Sequence, residues 1–88
     1  MNLTFDKSFS KKIDKLKNKE LASKLIKVIS DCEKANSISD IRNIKKLIGF
    51  KNYYRIKIND YRIGLEIQEN NIDFITIAHR KDIYNLFP

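Results

Sequence analysis

Residues 53–79 constrain the fold more than any other part of the chain. YYRIKI (residues 53–58) alternates strictly, with Tyr54, Ile56 and Ile58 on one side and Tyr53, Arg55 and Lys57 on the other. Asn59–Asp60 follows, a pair that tolerates the positive φ of a tight hairpin turn. Residues 61–68 alternate again, placing Tyr61, Ile63, Leu65 and Ile67 on one face. Asn70–Asn71 supplies a second tight turn, and IDFITIAH (residues 72–79) is apolar on both faces, as suits a central strand. Strands joined by turns this short form an antiparallel meander.

The first half of the chain reads as helices that cover this sheet. Residues 2–5 (NLTF) predict a short strand, and Asp6 or Ser8 can accept bonds from the free amides of a following helical turn. Phe9, Ile13 and Leu16 recur at helical spacing, in a helix ending near Lys17. Asn18 is a second N-cap, followed by the stripe Leu21, Leu25, Val28, Ile29 and Cys32, which fades at Ala35–Asn36. The short break predicts an antiparallel helical hairpin. After a connector at residues 37–40, residues 43–48 (NIKKLI) predict an edge strand stopped by Gly49, and residues 81–87 a tail with one helical turn.

The expected architecture is α+β in the order β-α-α-β-β-β, with the N-terminal helical hairpin on one face of a small, mainly antiparallel sheet. The whole chain, residues 1–88, forms a single domain. Tyr54, Ile56, Ile63 and Leu65 should meet the helices, leaving the opposite face to solvent or a ligand.

Charge narrows the partners. Lys and Arg total 18 against 11 acidic residues, a formal charge of +7 and a pI near 9.6, which favours polyanions or acidic partners. Cys32 has no second cysteine to pair with, and its place on the apolar stripe predicts a buried thiol. One His and one Cys, far apart, give no metal site, and no cofactor motif is present. There is no signal-peptide core and no apolar run of the ~20 residues that span a bilayer, so the expectation is a cytoplasmic protein without a membrane partner.

The candidate site comes from the turns. If Asn59–Asp60 is a two-residue loop, Lys57 lies opposite Arg62 and Arg55 opposite Gly64. If Asn70–Asn71 is another, Arg62 lies opposite His79, and Lys57, Arg62 and His79 form a row roughly 10 Å long on the face away from the helices. Like charges placed opposite each other cost roughly a few tenths of a kcal/mol or more. A chain that accepts this cost has often placed a site there. Gly64 leaves space beside Arg55, and Arg80 and Tyr84 follow at the end of the last strand. Such a cluster suits a phosphate and the charge that develops on it.

The competing reading makes Lys57 and Arg62 solvated face residues, with Glu66 neutralising one of them. His79 is either a proton-transfer group or a structural histidine, and Tyr84 either a base-stacking platform or an anchor for the tail. Ile83 and Phe87 read as plain packing, and the lysines of the first helix as a solvated face. The basic run Arg42, Lys45, Lys46 and Lys51 can extend a track for a nucleic-acid backbone.

KKLIGFKNYYRIKINDYRIGLEI, then an apolar strand, then AHRKDIY, resembles the RelE/ParE superfamily of toxins from bacterial and archaeal toxin–antitoxin pairs, closer to RelE than to ParE. The resemblance implies a ribosome-dependent endoribonuclease that cuts mRNA in the A site. The 2′-hydroxyl attacks the adjacent phosphate without a metal. It also implies a cognate acidic antitoxin as partner. By position, Arg55 and Lys57 match the basic residues of the third strand, Arg62 the arginine of the YR motif, Arg80 the arginine after the last strand, and Tyr84 the C-terminal tyrosine. Arg55 departs from members with a lysine general base, because a guanidinium keeps its proton. The base is then Lys57 or His79, or catalysis rests on electrostatics and on orienting the 2′-hydroxyl. The alternatives are a ParE-like toxin that acts on DNA gyrase, and a binding protein that keeps the fold without cleavage.

Overall fold

A computed structural model describes residues 1–87. The chain runs β1 (Asn2–Phe5), α1 (Lys7–Lys15), α2 (Lys19–Lys34), a 3₁₀ turn (Ile38–Asp40), β2 (Ile44–Lys46), β3 (Tyr53–Ile58), β4 (Tyr61–Gln68), β5 (Asn71–His79) and α3 (Ile83–Leu86). The strands form one five-stranded sheet in the order β1-β5-β4-β3-β2. Only the β1–β5 pair is parallel, so the sheet is mainly antiparallel. This is the expected α+β fold. Among the described residues no helix is long and apolar enough to cross a membrane.

Local chemistry explains the element boundaries. The Asn18 side chain accepts a bond from the Leu21 amide at 3.1 Å and caps α2. Asp6 precedes α1 without a side-chain cap bond, and α1 ends at Lys15, two residues earlier than its pattern suggested. Phe9, Leu21, Leu25 and Cys32 enter the core from the helices, and Ile56, Ile58, Ile63, Leu65, Ile67, Ile72, Phe74 and Ile77 from the sheet. The Cys32 thiol is fully buried, and burial with the nearby Asp31 charge pushes its pKa up to about 11.

The first hairpin has the expected register. Asn59 adopts φ 54°, Ile58 pairs with Tyr61, and Lys57 pairs with Arg62. The second does not. Its turn is Glu69–Asn70, with Glu69 at φ 54° and Gln68 opposite Asn71. Ile75 is then extra in β5, because Leu65 pairs with Phe74 while Gly64 pairs with Thr76. The reason is apolar matching. The observed pairs on the helix side are Ile67–Ile72, Leu65–Phe74 and Ile63–Ile77. The expected register would have set Leu65 against Thr76 and Ile63 against Ala78, leaving less apolar surface in register.

The face away from α1 and α2 is only partly open. Ala78, Ile83 and Phe87 form a second small core there, with Leu47, Tyr53 and Ile75 against it. Phe87 lies over Gly64 so closely that a Cβ at that position would stand 2.6 Å from Phe87 Cγ. The space expected to admit a ligand at Gly64 is therefore filled by the tail. Gly64 permits close packing of an aromatic ring, and Ile83 and Phe87 are packing residues as expected.

Candidate nucleic-acid interface

Two adjacent rows of cations occupy the open part of this face. Lys45 of β2 pairs with Arg55 of β3, and Arg55 with Gly64 of β4. One step along the strands in the register, Lys57 of β3 pairs with Arg62 of β4. Directly opposed residues hold their Cβ atoms about 4.5–5.5 Å apart, so these side chains share one small patch. Among the described residues the one ion pair is Lys24–Glu20 at 3.4 Å, so none of the patch cations has a carboxylate within bonding distance. Glu66 does not neutralise them. It lies opposite Tyr53 on one side and Asp73 on the other, further along the sheet.

Tyr84 is tied into the patch. An Arg55 Nη donates to the Tyr84 hydroxyl at 2.8 Å, and the Arg55 guanidinium carbon lies 5.9 Å from the ring centroid. The ring is 71% exposed. The hydrogen bond from Arg55, and then its charge, lower the Tyr84 pKa; desolvation opposes them more weakly, and the charges of Arg62 and Lys45 add smaller effects in the lowering direction. A hydroxyl on the surface of the tail is thus held as an acceptor within a cationic field. A cleft of about 240 Å³ opens beside it, lined by Lys45, Lys46, Leu47, Ile48, Phe50 and Arg55.

Arg62 and Arg80 frame the β3–β4 turn. Arg62 Nη1 donates to the carbonyls of Asn59 and Tyr61, at 3.1 and 2.9 Å. These bonds fix the guanidinium through one nitrogen and leave its other donors available. The Arg80 amide donates to the Asp60 carbonyl at 2.7 Å, tying the end of β5 to the same turn. Arg80 is exposed there, as is Lys57.

His79 does not join the row. The extra residue in β5 reverses the alternation beyond it, so His79 pairs with Tyr61 instead of Arg62 and lies on the helix side of the sheet. Its ring meets Tyr61 edge-on at 5.7 Å, and its Nδ1 accepts the Lys81 amide at 3.2 Å. One of its two ring nitrogens is therefore already hydrogen-bonded to backbone.

Of the flanking lysines, only Lys45 has the right face. Lys46 pairs with Tyr54 and alternates to the other side of β2, reaching the patch only at the rim of the cleft. Lys51 lies in the loop between β2 and β3, beyond both rows. The Lys45–Arg55 pair, the Arg55–Tyr84 bond and the apolar cleft wall at Leu47, Ile48 and Phe50 had no clear signal in the sequence. A three-residue strand shows too little alternation to assign a face.

A patch of this kind can bind a phosphate through Arg55, Lys57 and Arg62 and stabilise extra negative charge on it. Residues 3–84 match the family model described as the ParE toxin of a type II toxin–antitoxin system, parDE. A curated relative, Toxin RelE3 of Methanocaldococcus jannaschii, is 37% identical over 89 residues, covering 100% of both chains. The chain belongs to the RelE/ParE superfamily of toxins and stands close to RelE. The solved structure of a RelB–RelE antitoxin–toxin complex from Methanococcus jannaschii superposes with a TM-score of 0.82 at 35% identity, covering 97% of this chain and 99% of that one. The intact E. coli RelBE toxin–antitoxin complex gives a TM-score of 0.70 at 23% identity over 89% of this chain and 94% of that one, a likeness of fold.

Proposed function

We propose that this RelE-type toxin cleaves mRNA in the ribosomal A site, using the cationic face as its phosphate site. The observation that carries this reading is the Lys45–Arg55 and Lys57–Arg62 rows, free of carboxylate partners among the described residues, with the Tyr84 hydroxyl bonded to Arg55. Arg55 and Arg62 hold the nonbridging oxygens of the phosphate, and Arg80, beside the same turn, adds charge for the transition state. Tyr84, its phenolate favoured by Arg55, takes the proton of the 2′-hydroxyl. The 2′-oxygen bonds to phosphorus and the bond to the 5′-oxygen breaks. The Lys57 ammonium gives its proton to that leaving oxygen. The products are a 2′,3′-cyclic phosphate and a 5′-hydroxyl, and proton exchange with solvent restores both side chains. Arg55 cannot serve as base, and His79 lies on the other face with Nδ1 occupied.

The relatives solved as RelB–RelE complexes support an antitoxin as partner, and the formal charge of +7 suits an acidic one. The family model named for ParE favours one second reading, a toxin that acts on DNA gyrase without cutting RNA. Brief induction followed by mapping of mRNA ends separates them. Codon-phased cuts that need translation support cleavage on the ribosome. Intact mRNA with DNA-damage signalling supports the ParE-like reading and removes the first.

A further inference from the structure

A second cationic cleft adjoins the patch around the edge of β3. It has a volume of about 270 Å³ and shares Lys57 with the phosphate site. Lys24, Lys27 and Arg42 line it as well, from α2 and from the segment before β2. Lys24 is held in place, donating to Asn59 Oδ1 at 2.7 Å beside Glu20. Lys27 and Arg42 are exposed and, among the described residues, have no carboxylate within ion-pair distance. Val28, Ile41 and Ile58 supply an apolar floor, and Asp31 an acceptor at its margin.

The surroundings direct a bound strand toward this cleft. In the other direction along the sheet face, Glu66 and Asp73 are paired across β4 and β5 and repel phosphate. Phe87 and Tyr53 block the space between. The turn end of β3 is open, and there Lys57 faces both sites.

We propose that this cleft holds a nucleotide flanking the scissile phosphate, with Lys27 and Arg42 on its phosphate and the base against the Val28–Ile41–Ile58 floor. The inference rests on the RNA-cleavage reading above. It makes the strand turn off the sheet face at Lys57 and run between α2 and β3. Cations around an apolar floor, continuous with a phosphate site, match a nucleotide better than they match an acidic protein segment.

Binding of fluorescent RNAs carrying 2′-deoxy substitutions, a dinucleotide and a hexanucleotide, tests this at low salt by anisotropy. The double variant K27A/R42A should weaken hexanucleotide binding about 5–10-fold and reduce its salt slope by about 1, leaving the dinucleotide unaffected. K27R/R42K should retain hexanucleotide affinity, and unchanged melting of both variants shows that folding is not the cause. Equal losses on both RNAs, or none on the hexanucleotide, overturn the proposal. So does a hexaglutamate peptide whose binding needs Lys27 and Arg42 when RNA binding does not. Arg62→Ala reports separately on the parent reading: it should weaken both RNAs, and if it weakens neither, that reading fails.

Discussion

Arg55 and Tyr84 are 29 residues apart in sequence and meet at 2.8 Å, the guanidinium donating to the phenolic oxygen. The bond joins the C-terminal tail to the β3 strand and stabilises the deprotonated form of Tyr84. A donor and several positive charges favour the phenolate, so the Tyr84 pKa lies below its ordinary value.

The pH dependence of cleavage tests this bond. If Tyr84 takes the proton, its phenolate is the active form, and the rate rises with pH through its pKa. Arg55→Gln removes the charge and raises that pKa, so the rising limb of the rate–pH profile should move to higher pH. Tyr84→Phe keeps the ring and should still lose about 10²–10⁴-fold in rate. Equal activity of Tyr84→Phe and wild type would show that the hydroxyl takes no proton.

If Arg62 holds the phosphate as proposed, its loss should impair function and leave folding intact. Among the described residues its side-chain bonds reach only the carbonyls of Asn59 and Tyr61 at a turn. Arg62→Ala should therefore relieve growth arrest while the melting temperature stays within a few degrees of wild type. A growth-arrest assay beside a thermal melt checks both halves.

Gly64 and Phe87 should behave as a coupled pair. A Cβ at Gly64 meets the Phe87 ring at 2.6 Å, so Gly64→Ala must push the tail off the sheet. Overpacking of this kind costs about 1–3 kcal/mol. In a Phe87→Ala background the same substitution should cost far less, and urea denaturation of the four variants of the cycle measures the difference.

Cys32 should be unreactive in the folded protein. Its thiol is fully buried, with a pKa pushed up to about 11, so little thiolate exists at pH 8 and alkylating agents cannot reach it. Iodoacetamide should label it in urea and not in native buffer, by intact mass.

The sequence carries the first hairpin and the Lys57–Arg62 pair because a short turn and strict alternation leave one register. It does not carry the position of His79. IDFITIAH is apolar on both faces, so its periodicity gives no sign that Ile75 is extra, and one extra residue reverses every face beyond it. Gly64 reads as an opening in one dimension, and only the fold brings Phe87 over it. Arg55 and Lys57 are recognisable as basic strand residues, yet the partner that gives Arg55 its chemistry comes from a tail that alternation cannot place.

The most direct test of the cationic face is the chemistry of the ends it makes. Purified protein is added to ribosomes carrying a defined mRNA with a codon in the A site, and the fragments are analysed by mass. The expected result is a cut within that codon leaving a 2′,3′-cyclic phosphate and a 5′-hydroxyl, lost on Arg62→Ala. An uncut message, or fragments ending in a 3′-hydroxyl and 5′-phosphate, would contradict it.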